Sequence, residues 1–137
     1  MDGTAIFWPM IVQAGLTLAV YVILSMRRVA AVKSGAAKAR DFAIPNDPEL
    51  SATAARNIVN QFELPVLFYV ICIAFFVTGG ASAGVVALAW VFTLSRAVHA
   101  WVHLTSNRVM ARRRLFVAGF GVLIALWIWF AVHLAMG

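Results

Sequence analysis

Cysteine is all but missing from this chain. Cys72 stands alone, which excludes an internal disulfide and any cysteine-rich metal site. Within the apolar run ICIAFF it reads as a small buried hydrophobe. Acidic residues are nearly as scarce: five Asp and Glu face eleven Lys and Arg, and charged residues make up only 12% of the chain. A soluble domain carries about twice that share. Repeats and low-complexity segments are absent too, which removes solenoid and disordered classes. What fills the sequence instead is apolar: 64% of its 137 residues are hydrophobic. A soluble core accommodates one long uncharged helix of this kind, but not four.

Four apolar runs and three short connections account for the whole chain. The spans fall at 6–26, 62–78, 85–104 and 115–136, each close to the length that crosses about 30 Å of hydrocarbon at about 1.5 Å per residue. The expected fold is an all-α integral membrane protein, a four-transmembrane-helix bundle forming one domain over 1–137. In the first span Trp8 is an interface anchor, Gln13 is a polar group that needs a partner, and Gly15 permits close helix approach. The second helix begins near Pro48, before its hydrophobic part. Pro45-Asn46-Asp47-Pro48 is a turn signal, with Asp47 as N-cap and Pro48 as first helical residue. Continued to Val77, that helix projects beyond the bilayer, and Pro65 bends it. The first run has Asp2 before it and Arg27 and Arg28 after it, the reverse of a cleavable signal peptide.

The formal charge of +6 invites a nucleic-acid partner, but the placement of the charges excludes it. Every Lys and Arg except Arg96 falls on one side of the bundle, at the ends of apolar runs. Basic residues there set topology and face anionic headgroups. The positive-inside rule places both basic connectors in the cytoplasm and both termini outside.

Chemistry concentrates in RNIVNQFELP, residues 56–65. Arg56, Asn60 and Glu63 follow at i, i+4 and i+7 and share one helical face at the membrane boundary. A polar stripe running into a lipid-length helix is costly unless it is used. Glu63 and Arg96 lie at similar depth on neighbouring helices. They either pair with each other or line a site for a polar ligand, and Arg96 also has the option of snorkelling to the headgroups. Arg96, His99 and His103 share a face, and two histidines four apart suit a metal. No HExxH pattern and no nearby cysteine supports one, so no metal is assigned. His133 is read as structural, and Arg112, Arg113 and Arg114 as topology signals. Arg108 directly follows the helix bearing Arg96 and His103 and reaches back toward the same boundary, where Arg27 or Arg28 also arrives. Several guanidiniums around one cleft suit a small anion with carboxylates. An arginine beside a bound thiol favours its thiolate.

RNIVNQFELPVLFY (56–69) together with FTLSRAVHAWVHLTSNR (92–108) resembles the MAPEG family, the membrane-associated proteins of eicosanoid and glutathione metabolism. The resemblance extends over roughly residues 6–135. It implies a homotrimer of four-helix subunits with glutathione bound between neighbours at the cytoplasmic boundary. By the same resemblance Arg56, Asn60 and Glu63 hold the glutathione peptide, and Arg28 (Arg27 in the other register) faces it. Arg96 belongs to the same polar region, and Arg108 is the catalytic arginine that stabilises the thiolate. One departure stands out: Leu64, Ala97 and Trp101 occupy positions where eicosanoid-branch members carry tyrosines.

The implied function is a glutathione-dependent membrane transferase or peroxidase. Glutathione serves as substrate or ligand, and an apolar electrophile arrives from the bilayer. The setting is a bacterial inner membrane. The alternative is a non-catalytic protein that binds lipid or a partner helix in the intersubunit groove. A small transporter is disfavoured, because no paired halves with broken spans occur.

Overall fold

The computed structural model describes residues 3–136; Asp2, used above against a signal peptide, lies outside them. A short 3-10 turn, Gly3–Ile6, leads into α1 (Phe7–Lys33). After a second 3-10 turn, Ala39–Ala43, come α2 (Glu49–Gln61), α3 (Leu64–Val77), α4 (Ala83–Leu104) and α5 (Val109–Met136). Taking α2 and α3 as one interrupted span, four segments are long and apolar enough to cross a membrane. Their number and order are those expected from sequence.

The boundaries differ in instructive ways. α1 continues through Arg27 and Arg28 to Lys33, since nothing there breaks a helix until Gly35 adopts φ +76°. α5 starts at Val109, so the arginine cluster 112–114 belongs to its first two turns rather than to a loop. Pro48, rather than Asp47, is the N-cap of α2, with its carbonyl accepting from the Ser51 and Ala52 amides. The largest difference lies beside Pro65. The helix is interrupted there; it stops at Gln61, the chain passes through Phe62 and Glu63, and a new helix starts at Leu64. Pro65 then occupies the first turn of α3, where its missing N–H leaves nothing unpaired.

This break exposes the C-terminal carbonyls of α2, which an unbroken helix would have satisfied internally. One of them, Asn60 O, accepts a hydrogen bond from Arg96 Nη2 at 3.1 Å. A cation also suits the negative end of a helix dipole. The same device recurs at the end of α4, where Arg27 Nη2 donates to Leu104 O at 2.7 Å.

The core is aromatic. Phe68 of α3 stacks on Phe92 of α4, with centroids 4.4 Å apart, and Phe75 meets Phe130 of α5 edge-on at 5.1 Å. The outward faces are apolar as well: Leu18, Val22, Leu67, Val70 and Ile128 are exposed. In a bilayer those faces meet acyl chains, so the helices gain from close packing rather than from leaving water.

Two glycines permit that closeness at the end opposite the basic connectors. A Cβ on Gly80 would stand 2.7 Å from His133 Nε2 and 2.9 Å from Phe75, and one on Gly84 would stand 2.7 Å from the Trp129 ring. All three obstacles are rigid rings. Gly80→Ala is therefore expected to destabilise the bundle by about 1–3 kcal/mol through overpacking. Thermal unfolding in detergent measures this, and an unchanged midpoint would mean that the turn yields freely.

Candidate functional site

The side chains that sequence assigns to the site, Arg28, Arg56, Asn60, Glu63, Arg96 and Arg108, gather at the basic end of the bundle or just inside it. They do not form one cavity. Two hollows flank the ridge of α2 that carries Arg56 and Asn60. The larger, of about 510 Å³, opens between α1, the connector and α2, and is lined by Tyr21, Arg28, Asp47 and Arg56 among others. The smaller, of about 200 Å³, lies between α2, α4 and α5, and is lined by Asn60, His99, Val109, Arg112, Arg113 and Phe116.

Arg28 and Asp47 form the only ion pair among the described residues, at 2.6 Å. The pair is bidentate: Arg28 Nε donates to Asp47 Oδ1 at 2.7 Å and Nη2 to Oδ2 at 2.6 Å. Ser51 Oγ donates to the same carboxylate at 2.8 Å. Phe42 lies under the guanidinium, 5.2 Å from Cζ. Asp47, expected as a cap, thus fastens the connector to α1. The hydrogen bonds from Arg28 hold its carboxyl below the usual carboxylate range, more than burial raises it. Because the folded-state pKa is depressed, the pair's stabilisation is complete above the ordinary carboxylate pKa. It disappears as pH falls through the lowered folded value. Asp47→Asn is expected to lower stability at neutral pH by about 1 kcal/mol or less, given the partly exposed partner. It is also expected to flatten the acid limb of the unfolding profile, and equal acid sensitivity in variant and parent would refute that assignment.

Arg56 is exposed at the rim of the larger hollow, and Asn60 is half-buried on the other flank. Asn60 Nδ2 approaches His103 Nδ1 at 3.5 Å. Glu63 sits exposed in the break between α2 and α3 and lines neither hollow. Of the two arrangements open to Glu63 and Arg96, the ion pair does not form among the described residues. Arg96 does not snorkel either. It is 0% exposed, 6.0 Å from the Phe116 ring, and leans on the Asn60 carbonyl. The helix break accounts for both outcomes: it leaves Glu63 exposed and offers Arg96 an acceptor deeper in the bundle.

Several buried polar atoms around the smaller hollow have no hydrogen-bond partner within the protein: Arg96 Nε and Nη1, His99 Nδ1, His103 Nε2 and Arg112 Nε. Such atoms are costly unless something polar meets them. No cluster of three metal-type ligands exists among the described residues. Arg108 lies exposed just before α5 and lines neither hollow. Arg112, read from sequence as a topology signal, lines the smaller one, its Nη1 held by Asn107 Oδ1 at 2.7 Å.

Sequence reasoning also missed a buried amide ladder. Gln13 Nε2 donates to Gln61 Oε1 at 2.9 Å, Gln61 Nε2 to Asn57 Oδ1 at 2.9 Å, and Asn57 Nδ2 to the Ala100 carbonyl at 3.2 Å. Gln13 thereby finds a partner for its Nε2, while its buried Oε1 has none within the protein. The available signal was the i, i+4 spacing of Asn57 and Gln61, in phase with Ala54 on the inward face of α2. The ladder fixes the rotation of α2, which keeps Arg56 and Asn60 on its outer ridge.

Comparisons with curated proteins and with solved structures gave no match. The model of the MAPEG family matches residues 6–132. Nearly the whole chain is covered, including both hollows and all but a few terminal residues of the four spans, and this multi-pass membrane protein belongs to the MAPEG family.

Proposed function

We propose that the chain is a membrane glutathione-dependent transferase or peroxidase acting on an apolar electrophile. Membership of a family associated with glutathione and eicosanoid metabolism supplies the class. The observation that carries the reading is the pair of hollows at the basic end, where Arg28 and Arg112 flank the ridge of α2 that carries Arg56 and Asn60. Guanidiniums suit the two carboxylates of glutathione, and Asp47 suits its ammonium. The larger hollow is within the range of small-molecule sites, about 300–1,000 Å³. In this reading Arg28, Arg56, Asn60 and Glu63 bind glutathione, Arg96 supports Asn60 through its carbonyl, and an arginine flanking the start of α5 holds the thiolate.

The hollows open on two flanks of one helix, so a neighbouring copy is needed to close both onto a single ligand. A homotrimer, with the basic end in the cytoplasm of a bacterial inner membrane, accommodates this. The electrophile then reaches the thiolate from the bilayer along the exposed apolar faces.

A second reading, a non-catalytic protein binding lipid or a partner helix in the intersubunit groove, draws on one observation. Leu64, Ala97 and Trp101 offer no hydroxyl at the family's tyrosine positions, and Trp101 is 70% exposed. Titrating the detergent-purified protein with glutathione while following the ultraviolet absorbance of the thiolate separates the two. A saturable thiolate signal is expected. Its absence at millimolar glutathione would favour the binding protein.

A further inference from the structure

The second half of the chain carries charge of one sign only. Residues 64–137 contain Arg96, Arg108, Arg112, Arg113 and Arg114 and no acidic residue. Arg96 and Arg112 have protein acceptors. Arg113 and Arg114 are exposed and take part in no hydrogen bond or ion pair among the described residues. They are adjacent in the second turn of α5, directly before its apolar stretch.

Their surroundings are of mixed character. Met110, Arg113, Arg114, Val117 and Ala118 line an open groove of about 410 Å³ on the outer face of α5. These residues recur at i, i+3, i+4, i+7 and i+8, a single stripe along the helix. Two free guanidiniums lie midway along it, flanked by a thioether on one side and by two aliphatic groups on the other. Met110 and Val117 are 60% and 57% exposed. At a membrane boundary this combination fits one kind of molecule, with a phosphate at the height of the arginines and methylenes beside it. Water alone would leave the apolar groups uncovered, and a free phosphate would leave them equally bare.

We infer that Arg113 and Arg114, with Met110, Val117 and Ala118, form a binding site for an anionic phospholipid at the basic end of α5. The phosphate is bridged by the two guanidiniums, and the first part of an acyl chain lies along Val117 and Ala118. Charge complementarity selects the lipid: the carboxylates of this end lie in residues 41–63, and none lines the groove. Arg113 also borders the smaller hollow, whereas Arg114 does not; lipid binding in the groove does not require that the chain is a transferase.

Native mass spectrometry of the detergent-solubilised protein tests it, with phosphatidylglycerol and phosphatidylcholine of matched acyl chains titrated separately. Saturable retention of phosphatidylglycerol over phosphatidylcholine is expected. Arg114→Gln should weaken retention about fivefold, and Arg113→Gln with Arg114→Gln about 25-fold, from the usual contribution of a basic residue near an anionic surface. Lys33→Gln with Lys38→Gln, which removes equal charge elsewhere at the same end, should change retention less than about twofold, since charges beyond a screening length contribute little. Equal retention of the two lipids overturns the inference, as does an equal loss in the lysine variant. A double arginine variant that keeps its lipid but dissociates an oligomer would assign the groove to a second copy of the chain instead. If that double variant fails to insert, the wild-type lipid comparison and Arg114→Gln decide.

Discussion

Arg112→Ala is expected to lower turnover by about 10²–10³-fold, the usual cost of removing one donor that stabilises developing or bound negative charge. Arg108→Ala is expected to cost about tenfold or less, as a lost long-range charge rather than a lost contact. The difference follows from placement. Arg112 lines the hollow beside Asn60 and His99, its Nη1 is anchored to Asn107, and its Nε faces no protein acceptor. Arg108 is exposed and lines neither hollow. Both variants are compared with wild type for the thiolate absorbance and for kcat with an apolar electrophile. In Arg112→Ala the loss should fall on kcat and on the thiolate signal more than on KM. A large loss in Arg108→Ala with little change in Arg112→Ala would return the thiolate to Arg108, as the family resemblance implies, and would mean that a neighbouring chain brings Arg108 into the site.

The second large effect concerns stability. Gln61→Leu is expected to destabilise the protein by about 2–4 kcal/mol. It strands two groups at once, Gln13 Nε2 and Asn57 Oδ1, each at about 1–3 kcal/mol when buried without a partner. Hydrogen bonds between membrane helices are often weaker, averaging about 0.6 kcal/mol in double-mutant cycles. The larger figure applies here because Gln13 and Asn57 are 0% exposed, so neither water nor headgroups can replace the lost partner. Adding Gln13→Leu should recover part of the loss by removing one stranded amide. Unfolding in detergent across the single and double variants measures this. A loss in Gln61→Leu below about 0.5 kcal/mol would mean that the ladder's neighbours repack around the gap. Since the ladder sets the rotation of α2, the variant should also weaken glutathione binding at Arg56 and Asn60 without touching either.

Much of the frame was legible before any coordinates. Apolar run length locates the spans, because a bilayer demands a length and little else. The one-sided basic residues mark one end of the bundle, and the contact of Arg27 with the end of α4 agrees with that placement. The site was legible in membership but not in arrangement. Arg28, Arg56, Asn60 and Arg96 do lie at the basic end or just inside it, whereas Glu63 is exposed in the helix break and lines neither hollow, and Arg112 enters the smaller hollow unannounced. Residue type reveals that a polar group in a membrane helix needs a partner. It does not reveal which of several partners at similar depth is met.

By itself, then, the sequence determined the number of spans, the end at which charge collects and the residues with polar demands to satisfy. These follow from local and additive properties: hydropathy, helical period and the cost of charge in lipid. The tertiary structure decided how those demands are met. Pro65 announced a disturbance in the second span, but only the packed bundle converted it into a full break at Phe62 and Glu63. That break freed the Asn60 carbonyl for Arg96, and Glu63 and Arg96, at similar depth on neighbouring helices, form no ion pair among the described residues. The same holds for Asp47, which could serve as helix cap or as partner of Arg28; the connector's path selected the guanidinium. Such choices depend on the rotation of each helix about its axis, which packing against all its neighbours sets at once and no single segment encodes.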